Sequence, residues 1–173
     1  MSKPIVITGM HRSATSLVAS LIQKAGVNIG DRLQGISRGN PRGHFEDSDF
    51  YDLHERMLQR RGQSAFVQSL AFMCGAEEDE IAQARQLIER RQGEPVWGWK
   101  DPRTFPFLDF WHDLLPNPCY LFLFRHPLEV TLSLLGRGTD PEVLISPSVA
   151  LRAWWVYNDN ILRFYRAHLR MKP

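Results

Sequence analysis

Cysteine is scarce in this chain of 173 residues, with Cys74 and Cys119 alone. They form no CxxC pair and have no matching histidine pair, which excludes a disulfide framework or a zinc site as the organising feature. Cys119 opens an apolar run and reads as a small buried hydrophobe. Long hydrophobic runs are missing too: the longest, Tyr120 to Phe124, is far short of the ~20 residues a spanning helix needs. No membrane partner is therefore expected. Nor does one sign of charge dominate, since 21 Lys and Arg against 19 Asp and Glu leave a net charge of +2. That is too mild to argue for nucleic acid. The chain enters a strand directly, leaving no room for a signal peptide, and a cytoplasmic, reducing setting is expected. Repeats and low-complexity tracts are absent.

What is present fits one domain over 1–173, long enough for a real core. Pro4 to Thr8 is a β-branched run closed by Gly9, and Thr15 to Ala25 follows with Leu17, Val18, Leu21 and Ile22 at helical spacing before Gly26. Asn28 to His44 is a long polar loop rich in Gly, Arg and Pro. A helix opened by Asp47, Ser48 or Asp49 carries Phe50, Leu53, Met57 and Leu58 on one face. His54 reads there as a partly exposed residue. A further helix spans about Glu77 to Arg91, then "VWGWK" is an aromatic strand ending at Lys100. A short helix is expected over Thr104 to Leu115, and Cys119 to Phe124 reads as the clearest buried strand. Pro127 opens the next helix, and a last one covers about Ser148 to Leu169, with Leu151, Trp154, Trp155, Ile161, Leu162 and Phe164 as its apolar surface. Strands that are unbroken apolar runs, alternating with helices, predict a parallel sheet covered on both faces.

The segment "ITGMHRSATS" has the outline of a phosphate loop: a strand, Gly9, an intervening loop, and Ser16 at a helix start. Ala14 and Thr15 stand where glycine and lysine are usual, and Arg12 supplies the charge from within the loop. Its guanidinium can fork onto two anionic oxygens. On its own the match equally describes a strand-to-helix turn with an exposed arginine.

With its neighbours, "GMHRSATSLVASLI" resembles the 5′-phosphosulfate loop of sulfotransferases, in particular the bacterial and Golgi-type branch, with Ala14 replacing a glycine. "LFLFRHPLEVTLSLL" is similar to that family's 3′-phosphate segment, with Arg125 ending a strand and Ser133 on the helix behind it. "WGWKDPRTFPFL" is similar to the strand end that carries a lysine in these enzymes. The resemblance implies a three-layer α/β sandwich with a parallel sheet and a P-loop NTPase-like core. It implies a transferase that moves a sulfuryl group from 3′-phosphoadenosine 5′-phosphosulfate (PAPS) to a hydroxyl or amine, leaving the bisphosphate PAP, with no metal expected. Gly9, His11, Arg12, Ser13, Ala14, Thr15 and Ser16 would hold the 5′-phosphosulfate, and Arg125 and Ser133 the 3′-phosphate. Lys100 would neutralise charge on the bridging oxygen. "NPRGHFEDSDF" resembles the stretch bearing the family's catalytic glutamate, which makes Glu46 the base and His44 the second candidate. Arg103 would support the site or the acceptor, and Arg38 and Arg42 in the long loop are either acceptor contacts or solvated loop charges.

The acceptor, a small molecule, carbohydrate or peptide, and the oligomeric state are not legible. Members of the family usually run on past the point where this chain stops, so the C-terminal part of the fold is expected to be missing. Two other readings stand beside the transferase. A Mg-dependent nucleotide kinase or NTPase would use Ser16 and Asp101 on the metal, and a non-catalytic remnant would bind nucleotide only.

Overall fold

Side-chain alternation along the central strand sets the layers. In a computed structural model, which describes residues 2–37, 39–40, 43–71 and 75–169, β1 (Lys3–Gly9) lies between β2 (Val96–Lys100) and β3 (Cys119–Leu123), both parallel to it. Val6 faces a large aromatic core with Trp97, Trp99, Phe50 and Trp111. Ile7 faces the other way, into a smaller cluster with Ala19 and Ile29.

Helix α1 (Thr15–Lys24) covers that smaller side. Helices α2 (Ser48–Arg60), α3 (Glu78–Arg91), α4 (Leu108–Leu114), α5 (Pro127–Arg137), α6 (Pro141–Ile145) and α7 (Pro147–Phe164) contribute to the larger one. The fold is thus a three-layer α/β sandwich with a parallel sheet. Asp47 caps α2 as its position predicts, accepting from the Asp49 amide. Phe50, one turn in, stacks on Trp99 at 4.2 Å between ring centroids. Arg91 at the end of α3 ion-pairs with the buried Asp47, so cap and neighbouring helix are joined.

Three expectations need correction. Strand β3 is an edge strand: its residues are only partly buried, Cys119 included, and Phe124 just beyond it is 68% exposed. Its apolar composition reads as interior, but β1 is its sole strand neighbour among the described residues. The helix expected from Thr104 begins earlier, as a 3₁₀ helix over Pro102–Phe107, because the Asp101 carboxylate accepts from the Arg103 amide and Pro102 occupies the first position. On α7 the buried stripe is Ala150, Ala153, Tyr157, Ile161 and Phe164, whereas Leu151, Trp155 and Leu162 are exposed. Small alanines let the helix approach closely, and Trp155 points outward.

Gly9 is where β1 and β3 come too close for a side chain. A Cβ there would lie 2.3 Å from the Leu123 carbonyl oxygen. Gly9→Ala is predicted to destabilise the fold by about 1–3 kcal/mol, the usual cost of forcing extra volume into packed structure, read as a lower denaturant midpoint.

Candidate active site

The C-terminal ends of the three strands meet along one crest, where open parallel sheets place their ligands. From β1 the chain turns through Met10 to Ala14, with the Ser13 amide donating to the Met10 carbonyl at 3.1 Å. Arg12 and Ala14 both take left-handed backbone angles, with φ of 66° and 64°. Ala14 is the N-cap of α1 and supplies no side-chain cap, so the first-turn amides of that helix receive nothing from it. A cleft of about 200 Å³ at this helix start is lined by Arg12, Ala14, Thr15, Ser16, Asn40 and Arg125. Beside it the Ser13 hydroxyl is buried without a hydrogen-bond partner.

Arg12 reaches across to α5, its Nε donating to Ser133 Oγ at 3.0 Å and its Nη1 to the Gly39 carbonyl at 3.1 Å. Arg125 donates to the Arg12 carbonyl at 3.1 Å and pairs with Glu129. Arg12, Arg125 and Ser133 therefore form one cluster, although 121 residues separate Arg12 from Ser133. Burial, followed by the charges of Arg137 and Arg125, pulls the Arg12 guanidinium below its ordinary value. Cations concentrated this way favour an anion.

The second group lies at the end of β2. Lys100 Nζ is 2.6 Å from Glu46 Oε1 and also donates to the His44 carbonyl at 3.2 Å and to Ser16 Oγ at 3.4 Å. Both members of the pair are almost fully buried. Arg103 approaches the other carboxylate oxygen, Glu46 Oε2, at 3.5 Å. A cavity of about 440 Å³ opens in front of the carboxylate, with His11, His44, Tyr51, Phe66, Arg103 and Arg137 among its walls. His44 Nε2 is 2.8 Å from Ser37 Oγ. Burial, then the charges of Arg103, Lys100 and Arg137, pushes His11 well below its ordinary 6.5. His44 is lowered chiefly by burial. Both shifts favour the neutral imidazole, and His11 Nε2 is enclosed without a partner among the described residues.

The long loop folds back over the crest. Its Asn40 donates to Ser16 Oγ, which itself donates to the His44 carbonyl. Arg38 and Arg42 lie outside the described residues. His54, expected at a partly exposed position, is fully buried: its Nδ1 is 2.9 Å from Asp101 Oδ2, and Trp111 donates to its Nε2 at 2.8 Å. Reading outward from the sequence also missed Tyr51 and the Arg137–Asp140 pair at the cavity. The i, i+3 spacing of that pair was the available signal. Among the described residues no group of three His, Cys, Asp or Glu side chains could hold a metal ion, and no helix is long and apolar enough to cross a membrane.

A family model described as "Sulfotransferase family" matches residues 4–141. No curated protein and no solved structure matches the chain.

Two outcomes follow from this geometry. Lys100→Met leaves Glu46 without its closest counter-charge, and the loss of one partner of a buried pair predicts a destabilisation of about 3–5 kcal/mol, measurable by chemical denaturation. His11 is held below its unfolded value, so the unfolded chain binds the proton first. Its contribution is therefore complete above about pH 6.5 and is lost as the pH falls below that value. His11→Asn is predicted to give a shallower decline of stability on acidification than the wild type.

Proposed function

The chain belongs to the sulfotransferase family, and from that premise we propose that it moves a sulfuryl group from PAPS to a hydroxyl or amine acceptor. The observation that carries this reading is the position of the Lys100–Glu46 pair, with an acceptor-sized cavity in front of it and the Arg12–Arg125–Ser133 cluster farther along the same crest.

The residues fit such a donor. The unpartnered Ser13 hydroxyl, the helix start at Thr15 and Ser16, and the cationic cleft suit a 5′-phosphosulfate. Arg125 and Ser133 suit the 3′-phosphate. Arg12, in contact with Ser133 through its side chain and with Arg125 through its carbonyl, spans the two groups rather than serving the 5′ end alone. When bound, the donor supplies an activated sulfuryl group on a phosphate leaving group. Glu46 takes the acceptor proton as the acceptor atom bonds to sulfur. Lys100 neutralises the charge left on the phosphate oxygen as its bond to sulfur breaks. His44 lines the same cavity and is the second candidate for the base, with its Nε2 engaged by Ser37.

The kinase reading would need Asp101 on a metal. That carboxylate is fully buried, with Oδ2 bound to His54 and Oδ1 accepting from the Arg103 amide and guanidinium. Its oxygens are committed to the protein, which supports the transferase instead.

Calorimetric titration with adenosine 3′,5′-bisphosphate beside Mg-ATP tests the proposal: metal-independent binding of the bisphosphate, with ATP weak, is expected. A preference for Mg-ATP would return the kinase reading, and binding of neither would leave no donor site. Arg125→Ala with Ser133→Ala should weaken the bisphosphate far more than its 3′-hydroxyl analogue; equal losses would remove the 3′-phosphate assignment. Glu46→Gln should keep bisphosphate affinity and lower turnover by about 10²–10⁴-fold, whereas loss of activity in His44→Ala alone would transfer the role of base.

A further inference from the structure

Beneath the acceptor cavity runs a buried polar chain that the reaction outlined above does not use. It starts in the aromatic core at Trp111, whose indole N–H donates to His54 Nε2 at 2.8 Å. His54 Nδ1 faces Asp101 Oδ2 at 2.9 Å. Asp101 Oδ1 accepts from the Arg103 amide at 2.9 Å and from its Nη1 at 3.1 Å. The same Nη1 is 3.5 Å from Glu46 Oε2. Arg103 is further fixed by Glu55 at 2.9 Å and by the Tyr51 ring, 4.3 Å below its guanidinium carbon.

We propose that His54 is a positioning residue: held as the neutral Nδ1–H tautomer between Trp111 and Asp101, it orients Asp101, which aims Arg103 at the second oxygen of Glu46. The inference rests on the sulfotransferase reading for the role of Glu46, but not for the geometry of the chain.

The donor and acceptor inventory imposes the tautomer. The indole can only donate, so Nε2 must accept. A carboxylate can only accept, so Nδ1 must carry the proton. A charged imidazole would set its Nε2 proton against the indole proton. His54 and Asp101 are both fully buried, so neither can exchange its partner for water without a large cost. A histidine serving the core alone would end its network in the core. This one ends on Arg103, which lines the cavity. Lys100 holds Oε1 of Glu46 and Arg103 faces Oε2, so the carboxylate plane is bracketed from both sides. Without the His54 proton, Asp101 Oδ2 would be left bare, the carboxylate could turn, and Nη1 would be drawn from Glu46 toward Asp101.

The test uses the full chain, water as the acceptor, and release of adenosine 3′,5′-bisphosphate from PAPS as the rate. Nitrogen-15 spectra of the wild type should show the Nδ1–H tautomer of His54 and exchange-protected Arg103 Nη1–H protons, the group that meets Asp101 and Glu46; an Nε2–H or doubly protonated ring would overturn the inference. His54→Asn keeps a donor toward Asp101, while His54→Phe fills the space without one. Turnover is expected to fall at least tenfold in His54→Phe with bisphosphate affinity within twofold, and to return to within threefold of wild type in His54→Asn. Equal impairment of the two variants, or affinity falling in step with turnover, would reduce His54 to a packing residue. If His54→Phe does not fold, the wild-type tautomer and the His54→Asn rate decide. Should the wild type bind no bisphosphate, the sulfotransferase reading fails separately, and protection of the Arg103 Nη1–H protons decides the positioning claim. Protection lost in His54→Phe and kept in His54→Asn supports it; no difference overturns it.

Discussion

The ion pair between Lys100 and Glu46 joins the end of a core strand to the loop segment just before α2, which backbone bonds such as that from the Gln34 amide to the Glu46 carbonyl also tie to the rest of the loop. Taking two such charges out of water costs several kcal/mol per ion, and their attraction offsets that only when the remaining hydrogen-bonding capacity is also satisfied. Here it is. Lys100 has the His44 carbonyl and Ser16 Oγ as further acceptors, and Glu46 has Arg103 on its second oxygen. The pair is therefore the knot of a wider network rather than an isolated bridge. Because His44 and Ser16 belong to different segments, the same contacts fasten the long loop onto the start of α1. Arg12 and Asn40 add two more stitches, to Gly39 and Ser16.

The consequence for chemistry is positional. A carboxylate in a mobile polar loop would be solvated and free to turn. Fastened to Lys100, it is held at the wall of a cavity on the crest of the sheet, beside a helix start suited to anions. Proximity of this kind lowers a barrier because the ordering has been done during folding. It also ties stability to function: the residues that neutralise Glu46 in the resting protein are the ones that would serve charge development in the reaction.

Much of this frame was legible in the amino-acid order because it depends on local rules. The run from Ile5 to Gly9 and the helix start at Thr15 follow from β-branching, a glycine at a close approach, and small residues before an apolar period. The Asp47 cap follows from its place before Phe50. Arg125 and Lys100 were recognisable because each ends or follows an apolar strand. What was hidden depends on distance. Helical spacing from Phe50 to Met57 and Leu58 does put His54 on the buried stripe of α2, but its partners, 47 and 57 residues away, could not be read from it. The edge position of β3 could not be read from its composition, since an apolar strand looks the same whether or not a neighbour pairs with it. The buried stripe of α7 was masked by its own tryptophans, which carry more hydrophobic weight than the alanines that make the contact.

The two cationic groups on the crest also differ in a way that suits a division of labour. Lys100 and Arg103 are matched by carboxylates at short range, so in the resting protein their charge is balanced locally and they hold Glu46 in place. Among the described residues Arg12 hydrogen-bonds to a carbonyl and a hydroxyl and to no carboxylate, whereas neighbouring Arg125 and Arg137 pair with Glu129 and Asp140. Two neutral contacts do not cancel a guanidinium charge. A polyanion entering the cleft would therefore find unneutralised cation at the phosphate loop and an already balanced pair at the proposed centre of transfer. In the proposed transfer, binding strength and reactive geometry would thus rest on different residues.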